Sequence, residues 1–186
     1  MAKPLISLIA VGAMSALSAC GGGGGGGGIS LADYASLNAA TDLNEFAQNT
    51  IVNNATDTLN YSGFVNIGPD TGGSALVGFI GELSVAVNFD TDNVSGGVSN
   101  FGRWTDAGAS GVAPPVSGSL AINGALTGTN ETLSDGISGT AVGTVDGYNF
   151  NMIMDGNILG STSRSGVVLY FDNIGDLGGG VGIATR

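Results

Sequence analysis

Leu83-Ser84-Val85-Ala86-Val87-Asn88-Phe89 is followed by Asp90-Thr91-Asp92-Asn93 and then by Val94-Ser95-Gly96-Gly97-Val98. Leu83, Val85, Val87 and Phe89 alternate with Glu82, Ser84 and Asn88. That period of two belongs to a strand with one buried face and one wetted face. A helix would space its apolar residues three and four apart. The four residues between the runs are polar turn formers, so the stretch reads as two antiparallel strands joined by a short turn.

The same pattern recurs on both sides. Leu59, Tyr61, Val65 and Ile67 alternate with Asn60, Ser62 and Asn66, and further runs cover Leu120 to Leu126, Ile137 to Val145, Tyr148 to Met154, Val167 to Phe171 and Val181 to Thr185. Asp146-Gly147 separates two of these runs, and both residues tolerate the positive φ angles of a type I′ hairpin. Short, glycine-rich connections make sequential strands pair antiparallel. Eight such strands can form a sandwich or a barrel. Closure removes exposed edges, and eight strands leave an interior just wide enough for side chains or one small ligand.

The reading is an all-β domain, an eight-stranded antiparallel up-and-down barrel over residues 58–186. Leu83, Phe89, Tyr148 and Phe150 are expected to fill its interior, and Gly63, Gly96, Gly139 and Gly143 to serve tight bending. Met152 and Met154 share a face with Phe150 and read as core rather than as axial ligands. A membrane-spanning barrel would need aromatic girdles around a lipid-facing band. The single Trp and scattered Tyr do not supply them.

The N-terminal side has a different character. Lys3 precedes an apolar run from Leu5 to Leu17, which has the length of a signal-peptide core and is too short to span a bilayer. Leu17-Ser18-Ala19-Cys20 resembles the bacterial lipobox, so residues 1–19 read as a lipoprotein signal peptide and Cys20 as the lipidation site. Acyl chains there would hold the protein at a membrane. Residue 21 is not Asp, which resembles the outer-membrane sorting pattern. Cys20 and the polyglycine run to Gly28 form residues 20–28, a leash of about 15 Å root-mean-square span. With no preceding strand and no Lys-Ser/Thr after it, the run is not a phosphate cradle. Residues 29–57 lack Gly and Pro. Asp42-x-x-Glu45 looks like a capping box, with Leu43, Phe46 and Ala47 as a stripe, so this segment is a linker or a short helical piece.

Composition narrows the chemistry. The formal charge of −11 becomes −12 once Lys3 is set aside, because the remaining cations are Arg103, Arg164 and Arg186 against fifteen carboxylates. Such a field repels nucleic acid. There is no His and only one Cys, which removes imidazole bases, thiol nucleophiles in the domain and the common zinc ligand sets. No catalytic residues, metal site or cofactor are expected. Asp90, Asp92 and Asn93 are too few oxygens for a calcium loop and read as a solvated turn. Phe101-Gly102-Arg103-Trp104 opens the longest irregular stretch, running to Ser117. Arg103 and Trp104 are the expected ligand-binding residues there, with the indole exposed.

Val87-Asn88-Phe89-Asp90 before Val94-Ser95-Gly96, the strand Ser138-Gly139-Thr140-Ala141-Val142-Gly143, and polyglycine after the lipobox Cys resemble the transferrin-binding protein B-like surface lipoproteins, which include the factor H binding protein barrel. The chain departs from that family's Phe-Tyr-Gly-Pro with Ile158-Leu159-Gly160-Ser161. The resemblance implies a barrel displayed at the outer membrane, on the cell surface or facing the periplasm, that binds a macromolecular protein partner through its loops. A lipocalin-like carrier of a small apolar ligand and an adhesion or envelope-structural lipoprotein are the alternatives.

Overall fold

The computed structural model describes residues 29–47, 51–52, 54–68, 78–105, 111–127, 136–173 and 178–186. Residues 1–28, which hold the expected signal peptide, Cys20 and the polyglycine run, lie outside the described residues. Among these residues helix α1 (Leu31–Ala40) precedes eight strands: β1 (Thr58–Ile67), β2 (Gly78–Asn88), β3 (Asn93–Trp104), β4 (Gly118–Thr127), β5 (Gly136–Val145), β6 (Tyr148–Leu159), β7 (Gly166–Asn173) and β8 (Gly180–Thr185). Each strand pairs antiparallel with the next, and β8 returns to β1 to close an up-and-down barrel.

Inward side chains follow the period of two. Tyr61, Val65, Leu83, Val85, Phe150, Met152, Met154, Leu169 and Phe171 are at 2% exposure or less and pack as one cluster. Phe79 and Phe150 meet edge to face at 6.0 Å, a geometry the ring quadrupoles favour. Tyr148 lies on the inward side of β6 but is its first residue. It stays 39% exposed at the barrel mouth, with its ring 5.9 Å from Phe79, rather than filling the interior. The exposed outward positions Ser84, Ser95, Asn123, Thr140, Thr144 and Asn151 are polar, broken by Val142 and Ile153.

The hairpin at Asp146-Gly147 has φ of 50° and 82° at its two residues, as a type I′ turn requires. At the Asp90 turn, the Asn88 side-chain carbonyl accepts from the Asp90 and Thr91 amides. A Cβ at Gly63, Gly96, Gly139 or Gly143 would run into the backbone carbonyl of the neighbouring strand. These glycines therefore admit close strand approach.

Described residues of the 29–57 segment pack on the barrel through one side, but the helix is not where the Asp42-x-x-Glu45 pattern suggests. Ser30 and Asp33 form the capping box: the Ser30 hydroxyl accepts from the Asp33 amide, and the Asp33 carboxylate accepts from the Ser30 amide at 2.9 Å. Asp42 instead closes a turn by accepting from the Asn44 amide. The chain then runs extended, with Phe46 bridging Leu159 and the Ala47 amide donating to the Ile158 carbonyl. No turns remain for a helix at Leu43 to Ala47.

Leu31, Tyr34 and Leu37 form the inner stripe of α1. They cover outward-facing apolar residues of the barrel: Ile80 and Phe64 near Leu31 and Tyr34, and Leu159, Val168 and Ile183 near Tyr34 and Leu37. Since Phe64 is on β1 and Ile183 on β8, α1 straps the seam where the first and last strands meet. Ala47 and Val52 then plug the far end of the barrel.

At that plug end Arg164 ties three pieces together. Its guanidinium pairs with Asp57 at 2.6 Å and lies 4.5 Å over the Phe89 ring, and its carbonyl accepts from the Tyr61 hydroxyl. Burial pushes the Tyr61 phenol up to about 12, against a smaller opposing pull from Arg164 and Arg186. A pKa raised on folding contributes stability that is intact below the unfolded value near 10 and is lost as pH rises toward 12. At ~1.4 kcal/mol per unit, the full shift withdraws about 3 kcal/mol. Urea melts between about pH 9 and about pH 12 should show this decline, and Tyr61→Phe should flatten it. An equally steep decline in Tyr61→Phe would assign the loss to other groups.

Candidate functional site

The connections after β1, β3, β5 and β7 share one end of the barrel, where the chain also enters at Ile29. Here β3 is longer than its sequence pattern suggests. Its pairing with β2 shifts between Ile80 and Glu82, and Asn100 takes a φ of 49°. The shift resets the alternation, so Val98 and Phe101 both face inward although they are three residues apart. Phe101 to Trp104 are thus the end of a strand and not the opening of a loop.

Residues 111–117 fold back along this extension. The Val116 amide donates to the Phe101 carbonyl and the Arg103 amide to the Pro114 carbonyl, and Ile29 accepts from the Ala113 amide on the other side. Pro114 and Pro115 sit at an edge, where Pro is tolerated. The result is a half-open groove of about 330 Å³, lined by Leu31, Arg103, Trp104, Val112, Pro114, Val116 and Asp146 among others. Its lining is largely apolar, with one ion pair at the rim: Arg103 Nη1 meets Asp146 Oδ2 at 2.9 Å. The Asp146 amide also donates to the Ser117 carbonyl, which fixes the hairpin tip against the loop.

The structure brings Arg103 and Trp104 together on this groove but corrects the expected exposure of the indole. Trp104 is 7% exposed. It lies across Gly78 of β2, where a Cβ would collide with its ring, and packs with Ile29, Ile80 and Ala113. Its Nε1 donates to Asn66 Oδ1 on β1 at 3.1 Å. Trp104 is a wall, and Val112, at 61% exposure, is the projecting apolar residue. Arg103 is likewise not a bare cation, because Asp146 balances it. Sequence reasoning missed Val112 and Asp146: the first lies in a segment without periodicity, and the second carries only a turn signal. Part of the loop, residues 106–110, lies outside the described residues, as do several other connections.

Among the described residues no group of three or more His, Cys, Asp or Glu side chains is arranged to hold a metal ion. Among them, too, no helix is long and apolar enough to cross a membrane. No family model, curated protein or solved structure matches the chain.

Proposed function

We propose that the protein is a lipid-anchored envelope lipoprotein, held through Cys20 and displayed at the outer membrane, whose barrel is a non-enzymatic binding module of the transferrin-binding protein B-like kind. Its partner is a macromolecule that places an apolar side chain in the groove beside Arg103, Trp104 and Val112. The observation that carries the reading is the groove itself, an apolar concavity with a charged rim, built by a loop folded back on a rigid strand. Such sites combine a desolvated centre with a polar edge that fixes orientation. The packed interior supports a macromolecular partner over a small apolar ligand carried inside, since Tyr61, Phe79, Phe150 and Phe171 occupy that space. An adhesion or envelope-structural lipoprotein would give no saturable partner.

Two variants test the two halves of this reading. Cys20→Ser should abolish metabolic labelling by palmitate and move the protein from membrane to soluble fractions with its melting temperature unchanged. Full membrane retention would place the anchor elsewhere. Val112→Asp alters an exposed position, so its fold should be intact, while a partner recovered with the wild-type chain should bind at least about tenfold more weakly, a loss of about 1.4 kcal/mol. Unchanged affinity would remove the groove from the interface. Trp104→Ala cannot serve this purpose, because the indole is part of the packing.

A further inference from the structure

A second concavity lies on the outer wall at the same end, on the other side of α1 from the groove of Arg103. It is a shallow, open trough of about 420 Å³ flanked by Tyr34 of α1 and Tyr170 of β7, with Asn66, Asp172, Gly179 and Gly180 among its lining. Tyr170 is 44% exposed. Gly179 lies tight against β7, where a Cβ would meet the Phe171 carbonyl.

The polar groups of this trough restrict what fits. Asn66 Oδ1 accepts from the Trp104 indole, which orients the amide, whose nitrogen is its donor group. Asp172 supplies acceptors, and the two phenols supply both functions. Burial, and then the neighbouring Tyr170, push the Tyr34 phenol above its ordinary range, so it is a protonated donor at neutral pH.

Among the described residues no cation lines the trough: Arg103 is paired with Asp146, Arg164 with Asp57, and Arg186 with the Ser163 carbonyl. An anionic ligand would find no counter-charge here in a strongly acidic domain. A purely apolar ligand would desolvate the phenols, the amide and the carboxylate without replacing their hydrogen bonds. What matches is a ligand with C–H faces for the aromatic rings and neutral hydroxyls around its rim.

We propose that the Tyr34–Tyr170 trough binds a neutral saccharide unit, its ring against Tyr170 and its hydroxyls shared by Tyr34, Asn66 and Asp172. The site is separate from the groove of Arg103 and does not depend on that groove's partner. The protein also carries its own reporter, because Trp104 is the single Trp and its hydrogen bond ends on a trough residue.

The test titrates the full chain with cellohexaose, maltohexaose and chitohexaose, following Trp104 emission and heat, with a heparin-derived oligosaccharide as the anionic comparison. At least one neutral oligosaccharide should saturate at or below about 1 mM, the heparin fragment should not bind, and Tyr170→Ala should weaken affinity about tenfold or more. Asp172→Asn should weaken it less, and the melting temperatures of both variants should match the wild type. The proposal is overturned if no neutral oligosaccharide saturates by about 20 mM, if the heparin fragment binds best, or if Tyr170→Ala leaves affinity unchanged. Retention of a polypeptide at the trough, lost on Tyr170→Ala while every saccharide fails, would assign the surface to protein docking instead.

Discussion

Phe89→Ala should lower the stability of the barrel by about 3 to 5 kcal/mol, the range for deleting a buried Phe. The ring is 5% exposed and belongs to the main core cluster at the plug end. It also carries the Arg164 guanidinium 4.5 Å above its face, worth about 0.5 to 2 kcal/mol depending on desolvation. The ion pair with Asp57 adds little by comparison: an exposed pair of this kind is worth about 0.2 to 1 kcal/mol, and Asp57 is half exposed. Packing therefore dominates. Urea unfolding of the full chain measures the loss, and a value below about 1 kcal/mol would contradict the inward placement. Arg164→Ala separates the parts. Its cost in the Phe89→Ala background should be smaller than in the wild type by about 0.5 to 1 kcal/mol, because the ring is no longer there to be stacked.

Gly63→Val is the second large effect, and two principles predict opposite signs for it. Val is the better strand former by up to about 1 kcal/mol. A Cβ at Gly63, however, would overlap the Ile183 carbonyl of β8, and backbone on a closed barrel has no room to move aside. Overpacking against well-fitted neighbours costs about 1 to 3 kcal/mol, and more when the obstacle is main chain. Sterics should win, with a net loss of about 3 kcal/mol or more. Ser62→Val, one residue earlier and facing outward, is the matched control and should change stability by less than about 0.5 kcal/mol. If Gly63→Val were neutral or stabilising, β1 and β8 would not be in the register described.

The eight strands and their antiparallel order were legible because each inward run keeps its period of two and each turn is marked by polar residues or glycine. Legibility failed at two places for definable reasons. At Asn100 the register shift puts Val98 and Phe101 on the same face, and an observer counting alternate positions loses the strand there. The capping signal was duplicated, with Ser30-x-x-Asp33 and Asp42-x-x-Glu45 both present, and what decides between them is the seat offered by Ile80, Val168 and Ile183. Those three residues are apolar at outward positions, a sign that the wall is covered. The groove was half legible: Arg103 and Trp104 line it, but the burial of the indole depends on Gly78 two strands' worth of sequence away.

The strap of α1 across the β1–β8 seam has a kinetic corollary. Every other strand pair is a local hairpin, whereas β1 meets β8 only after nearly the whole domain has been made. Local pairs close quickly, and non-local ones wait on loop-closure entropy. The seam is thus the slow contact, and α1, although it precedes every strand in sequence, has no complete docking surface until the last strand arrives. Its apolar stripe remains unsheltered through that interval, as does the outward stripe of Ile80, Val168 and Ile183. A chain of this design has a built-in delay, with a helix that precedes every strand serving as the final clasp. Holding chaperones that recognise exposed apolar segments would find their target in this half-assembled state and lose it once the clasp shuts.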